Sequence, residues 1–183
     1  MIDVLGISGS PIKNGNTEIL IKYALKICED NGLKTNFVSL ADKKIYPLGI
    51  NENDDSKEII DLMRNSRAII IGSPTYFGNI SANLKALFDK TLPLRKNMEL
   101  RNKIGGAIAV GGSRNGGQEF TILAIHNFML IHEMIVVSDK NTAHFGGICV
   151  GRNPGDVLND KDGLKTVENL ALKISEILKS FNI

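Results

Sequence analysis

Cysteine is scarce in this chain, with only Cys28 and Cys149 among 183 residues. The two form no CxxC pair and belong to no metal-ligand spacing, which excludes a disulfide framework, a zinc module and a thioredoxin-like centre. No metal site is expected. An excess of one charge is also missing, since 22 basic and 20 acidic residues leave a formal charge of +2. A nucleic-acid binder gathers Lys and Arg on one face or arm, and no such run occurs, so nucleic acid is not an expected partner. Long apolar runs are absent too. Ala68–Ile71 and Ile104–Val110 are among the longest, well short of the roughly 18 residues of a membrane span. The opening Met1-Ile2-Asp3-Val4 lacks a basic segment and carries an acid, so it reads as a strand and not as a secretion signal. A cytoplasmic protein without membrane contact is the expectation. No repeat, low-complexity tract or linker interrupts residues 1–183, which predicts a single domain.

What is present is an alternation of strand and helix signals. Ile2–Ser8 is a short apolar run ending in a Gly/Ser/Pro cluster. Ile19, Leu20, Tyr23, Ala24 and Ile27 follow helical spacing within Thr17–Cys28, and Asn31-Gly32 closes that helix. Lys34–Leu40 is a second strand. Asp55 and Glu58 resemble a capping pair for a helix through Arg64. Arg67–Gly72 is a third strand, Ser81–Thr91 a helix, Ile104–Val110 a fourth strand, Glu119–Ile131 a helix and Ile135–Ser138 a fifth strand. A long loop, Asp139–Asn159, then leads to a helix whose stripe is Leu164, Val167, Leu170, Ala171, Ile174, Ile177, Leu178 and Phe181. Five strands alternating with helices predict an α/β fold, a doubly wound parallel sheet of order 2-1-3-4-5 covered on both faces in three layers.

In such a sheet ligands bind beyond the carboxyl ends of the strands, at the switch point. The loops after strands one, three and four sit there, and all three are unusual in composition. Ser8–Thr17 runs straight into a helix with hydroxyl and amide side chains, which suits a phosphate, and Lys13 adds charge. The pattern is neither GxGxxG nor GxxxxGK[ST]; the plainer reading is a polar loop with an ordinary cap. Ser73–Ile80 combines Pro74, Tyr76, Phe77 and Gly78, offering an apolar face and backbone groups to a flat heteroaromatic ring, or simply covering the sheet end. Gly111–Gly117 lets a ligand approach the main chain, with Arg114 facing a ring oxygen, a phosphate, a neighbouring subunit or solvent. His144, in a glycine-flanked loop, either hydrogen-bonds a ligand edge or is structural. His126 and His132 read as structural, and Cys28 as core.

These loops carry a resemblance. Ser8-Gly9-Ser10-Pro11 with Asn16-Thr17, then Ser73-Pro74-Thr75-Tyr76-Phe77-Gly78, then Gly111-Gly112-Ser113-Arg114-Asn115-Gly116-Gly117-Gln118-Glu119 resemble the NAD(P)H-dependent FMN reductases of the flavodoxin-like superfamily. The iron–sulfur flavoproteins are the nearest branch, with further likeness in Gln118–Val137 and Gly151–Val157. The resemblance implies that Ser8, Ser10, Lys13, Asn14, Asn16 and Thr17 surround the FMN phosphate. It implies that Pro74, Thr75, Tyr76, Phe77, Gly78 and Asn79 contact the isoalloxazine ring. Gly112, Ser113, Arg114, Gly116 and Gly117 would line its other edge, with His144 near the ring. Lys13 stands where many relatives have arginine.

The iron–sulfur branch carries clustered cysteines after the second strand, whereas Ile45–Asp55 here has none, so no iron–sulfur cluster is expected. The implied activity is hydride transfer from NADPH or NADH to bound FMN and on to a quinone, a flavin or another small acceptor. The alternative is a flavodoxin-like electron carrier without direct NAD(P)H activity. Phe120, Ile122, Leu123, Ile125, Phe128, Met129, Leu130 and Ile131 leave the Glu119–Ile131 helix apolar nearly all round. That predicts burial against a partner subunit in a homodimer or homotetramer.

Overall fold

The computed structural model describes residues 1–180, and Phe181 lies outside them. The strands are β1 (Ile2–Ser8), β2 (Thr35–Ser39), β3 (Ser66–Pro74), β4 (Ile104–Gly111), β5 (Ile135–Val136) and β6 (Gly147–Val150). The helices are α1 (Asn16–Asp30), α2 (Ser56–Arg64), α3 (Ala82–Asp89), α4 (Leu92–Lys96), α5 (Gln118–Ile131) and α6 (Lys161–Ser180). All strand pairs are parallel, in the order β2-β1-β3-β4-β5, with β6 also pairing with β4.

Period-two alternation divides the strands between two cores. Leu5, Ile7, Ile69 and Ile71 meet Ile59 and Met63 of α2, Leu84 and Leu87 of α3, and Ile122 and Ile125 of α5. Val4, Ala68 and Ile70 face the opposite way, onto Leu20, Ile21 and Ala24 of α1 and Val167, Leu170 and Ile174 of α6. Three layers result, as expected.

The fifth sheet position departs from expectation. Instead of one strand Ile135–Ser138 and a structureless loop, two short strands share it. β5 pairs with Ile104-Gly105 at the start of β4, and β6 with Ile108–Gly111 at its end. A Cβ on Gly146 would lie 2.3 Å from the Ala107 carbonyl oxygen, so only glycine lets the chain enter this position. The expected capping pair also differs. Asp55 makes no side-chain cap at α2, and its carboxylate instead accepts from the Lys44 N–H at 2.7 Å. Asp54 takes its place, accepting from the Ser56 N–H at 2.9 Å.

Registers place Ser8 beside Gly72, Pro74 beside Val110 and Gly111 beside Val150, so the strands end along one rim. The loops that follow leave from that rim together.

Candidate functional site

The loops are tied to one another at their bases. The Gly9 N–H donates to the Gly72 carbonyl at 2.7 Å, and the Thr75 N–H to the Val110 carbonyl at 2.7 Å. Ser81 caps α3 by accepting from the Leu84 N–H and donates its own hydroxyl proton to the Gly9 carbonyl. The second loop meets the first turns of α5 where the Thr121 hydroxyl donates to Thr75 Oγ1 at 3.1 Å. There Gly117 adopts a left-handed φ of 94° and comes so close to Gly78 that an added Cβ would stand 3.3 Å from its Cα.

Between these loops opens a cavity of about 350 Å³. The first loop contributes Ser10, Ile12, Gly15, Asn16 and Thr17, the second Pro74, Thr75 and Tyr76, and β4 with the third loop Val110 and Gly112. A fourth wall is Gly151, Arg152 and Pro154, between β6 and α6. Its place is set by Asn16, whose side chain donates to the Asn153 carbonyl at 2.8 Å and accepts from the Gly155 N–H at 2.9 Å. This wall was not predicted as part of a site. It belongs to the segment Gly151–Val157 already noted for its resemblance, and the Asn16 side chain is what turns it inward.

The cavity lining combines polar and apolar groups. Here α1 begins with Gly15 as its N-cap and has no side-chain cap, which leaves first-turn N–H groups without a side-chain acceptor. Such a helix start favours an anion. Pro74, Tyr76 and Val110 supply apolar surface.

Of the predicted site residues, Ser10, Asn16, Thr17, Pro74, Thr75, Tyr76 and Gly112 line the cavity. Lys13, Asn14, Phe77, Gly78, Asn79, Ser113, Arg114, Gly116, Gly117 and His144 are not among its lining residues. Ser8 lies beneath, fully buried with its hydroxyl unpaired among the described residues. Lys13 pairs with Asp42 at 3.0 Å, and Arg114 with Asp160 at 3.0 Å. Asn14 takes a positive φ of 54°, its N–H donating to the buried carboxylate of Glu18. Burial pushes the Glu18 carboxyl up, but bonds from Lys22, the Asn14 N–H and Ser39 outweigh it and hold it below the usual range. Asn79 belongs instead to a second cavity, of about 510 Å³, between α3, α4 and α5. His144 is exposed, its N–H bonded to Asp139 at 2.8 Å.

Comparison with known proteins decides the family. The model of NADPH-dependent FMN reductases matches residues 2–146. The chain belongs to this family. An iron–sulfur flavoprotein of Methanocaldococcus jannaschii is 52% identical, covering 96% of this chain and 97% of its own. An iron–sulfur flavoprotein of Methanosarcina thermophila is 43% identical, covering 96% and 95%. Among solved structures, a WrbA-like flavodoxin from Agrobacterium tumefaciens superposes with a TM-score of 0.73 at 16% identity, covering 98% and 99%. The apo form of an NADH:FMN oxidoreductase gives 0.74 at 22% identity, covering 96% and 89%. These two likenesses speak for the fold.

The FMN of this family fits the residues present, because an uncapped helix start with Ser10 and Thr17 shares one cavity with the apolar Pro74, Tyr76 and Val110. The cluster in the relatives' names does not fit. A 4Fe–4S centre needs four thiolates, and the chain has two cysteines, buried in α1 and β6. Burial pushes the Cys28 thiol up to about 11 and that of Cys149 higher still.

Proposed function

We propose that the protein is an FMN-dependent oxidoreductase that takes hydride from NADPH or NADH and delivers reducing equivalents to a quinone, a free flavin or another small acceptor. The observation that carries this reading is the convergence of the three strand-end loops on one cavity with a helix start in its lining. Bound FMN would supply the redox chemistry, a ring that accepts hydride and returns electrons. The chain's residues would hold and orient it. Ser10, Thr17 and the first-turn N–H groups of α1 suit the phosphate. Pro74, Thr75 and Tyr76 suit one side of the ring, and Gly112 lets the backbone of the third loop come close. Tyr76 and Phe77 are exposed at the rim, where a nicotinamide or a planar acceptor would have an apolar surface to stack on.

The test is anaerobic. Protein reconstituted with FMN is mixed with NADPH or NADH and its flavin absorbance followed. Rapid bleaching by at least one donor is expected. A flavin that stays oxidised with both would identify an electron carrier of the flavodoxin kind instead.

A further inference from the structure

A positive charge strengthens the hold of a helix start on a phosphate, and the two basic residues that the loops themselves supply pair with carboxylates outside the cavity. Lys13 Nζ is held by Asp42, and the Arg114 guanidinium by Asp160. Asp160 is itself fixed, accepting from the N–H groups of Val150 at 2.8 Å and Gly163 at 3.2 Å. Neither cation lines the cavity, whereas Arg152 does and, among the described residues, is its only charged lining residue.

The setting of Arg152 is specific. Its Nε donates to the Gly112 carbonyl at 2.8 Å, so the side chain reaches from the fourth wall to the third loop. Its backbone N–H donates to the Asp156 carboxylate at 3.1 Å. The same carboxylate oxygen accepts from the Asn153 N–H at 2.8 Å and from the Asn153 side-chain amide at 3.3 Å. Among the described residues the Arg152 guanidinium has no ion-pair partner. The preceding Gly151 packs against Asn16 so tightly that an added Cβ would lie 2.8 Å from Asn16 Nδ2, which sets Arg152 beside the start of α1.

We propose that Arg152, from the loop between β6 and α6, is the residue that neutralises the phosphate of the bound flavin, in the place the first-loop Lys13 was expected to take. The inference rests on the flavin reading above. A planar guanidinium with free N–H groups makes charge-assisted, directional bonds to phosphate oxygens that a flexible lysine ammonium does not match. Arg152 would also couple phosphate binding to the ring end of the site, because the same guanidinium holds the Gly112 backbone.

The experiment titrates flavin-free protein with FMN and with riboflavin, following quenching of flavin fluorescence. Riboflavin lacks the phosphate, so the ratio of the two affinities isolates its contribution. The wild-type protein is expected to prefer FMN. Arg152→Gln is expected to lower FMN affinity by about 10- to 100-fold and riboflavin affinity far less, through the lost bond to Gly112 alone. Arg152→Lys should restore part of the preference, and Lys13→Gln should change it little. Loss of the preference in Lys13→Gln with retention in Arg152→Gln would overturn the proposal. So would an equal loss of both ligands in Arg152→Gln, which would mark a structural residue. A wild-type protein that binds neither ligand would remove the flavin reading and this inference together. One that prefers FMN regardless of residue 152 would remove the inference alone.

Discussion

Asn16 makes the site a closed ring of loops. Its amide satisfies a carbonyl and an N–H of the 153–155 turn, more than 130 residues further along the chain. Asn16→Ala is therefore expected to release the fourth wall and lower FMN affinity by about tenfold, measured by fluorescence titration, with the fold intact by circular dichroism. Unchanged affinity would show that the wall is not needed. At this scale the sequence was legible in part. The hydroxyl and amide residues Ser10, Asn16 and Thr17 could be singled out from their type and place in the chain, and they line one cavity with Gly112. What Lys13 and Arg114 do could not, since it depends on Asp42 and Asp160, which approach only in the folded chain. Arg152 was equally hidden, 40 residues from the Gly112 carbonyl that seats it.

Helices and long strands were legible because their apolar periodicity is sustained over many residues. The short β6 was not: four residues that begin at the second of two glycines carry too little pattern, and pairing with β4 defines them. The 45–55 segment, cysteine-free in sequence, is secured in another way. Lys90, almost fully buried at the end of α3, donates to the Asn51 carbonyl at 2.6 Å and pairs with the buried Asp54 at 2.7 Å. Burial alone would push the Asp54 carboxyl up, yet bonds from Lys90, Ser56 and the Tyr46 N–H hold it well below the usual carboxylate range. Removing one partner strands the other, so Lys90→Met is expected to destabilise the protein by about 3 kcal/mol, read as a lower urea midpoint. A midpoint equal to wild type would mean that the segment holds without the pair.

A second element-scale prediction concerns acid. Burial, with Arg95 nearby, lowers the His132 pKa from 6.5 to about 4, and burial lowers that of His126. A histidine kept neutral in the fold is protonated first in the unfolded chain. Its contribution is thus fully present above about pH 6.5 and is lost as pH falls from there towards 4, at up to about 1.4 kcal/mol per pH unit. Replacing His132 by Gln should flatten urea-derived stability across this window relative to wild type. An unaltered slope would show that His132 titrates normally.

On the scale of the whole molecule, α5 has two different faces. Ile122, Ile125 and Met129 are buried on the sheet, while Phe120, Leu130 and Ile131 remain 68%, 60% and 65% exposed. A partner subunit covering this second face is the oligomer the sequence led us to expect, and Leu92, which lines one cavity with Ile131, extends the apolar surface. Light scattering at micromolar concentration should report a dimer or tetramer, and Phe120→Asp with Ile131→Asp should shift it towards monomer. A wild-type monomer would contradict this. The sheet order was legible as a whole, because alternation of elements and the handedness of crossovers leave few arrangements.

Whether the strand-end loops together hold FMN for reduction by a nicotinamide is decided by one anaerobic experiment. Protein mixed with excess FMN is passed through a desalting column, its flavin spectrum recorded, and NADPH or NADH added. The account predicts about one flavin retained per chain and fast loss of its visible absorbance with at least one donor. Flavin that elutes entirely free of the protein would contradict it.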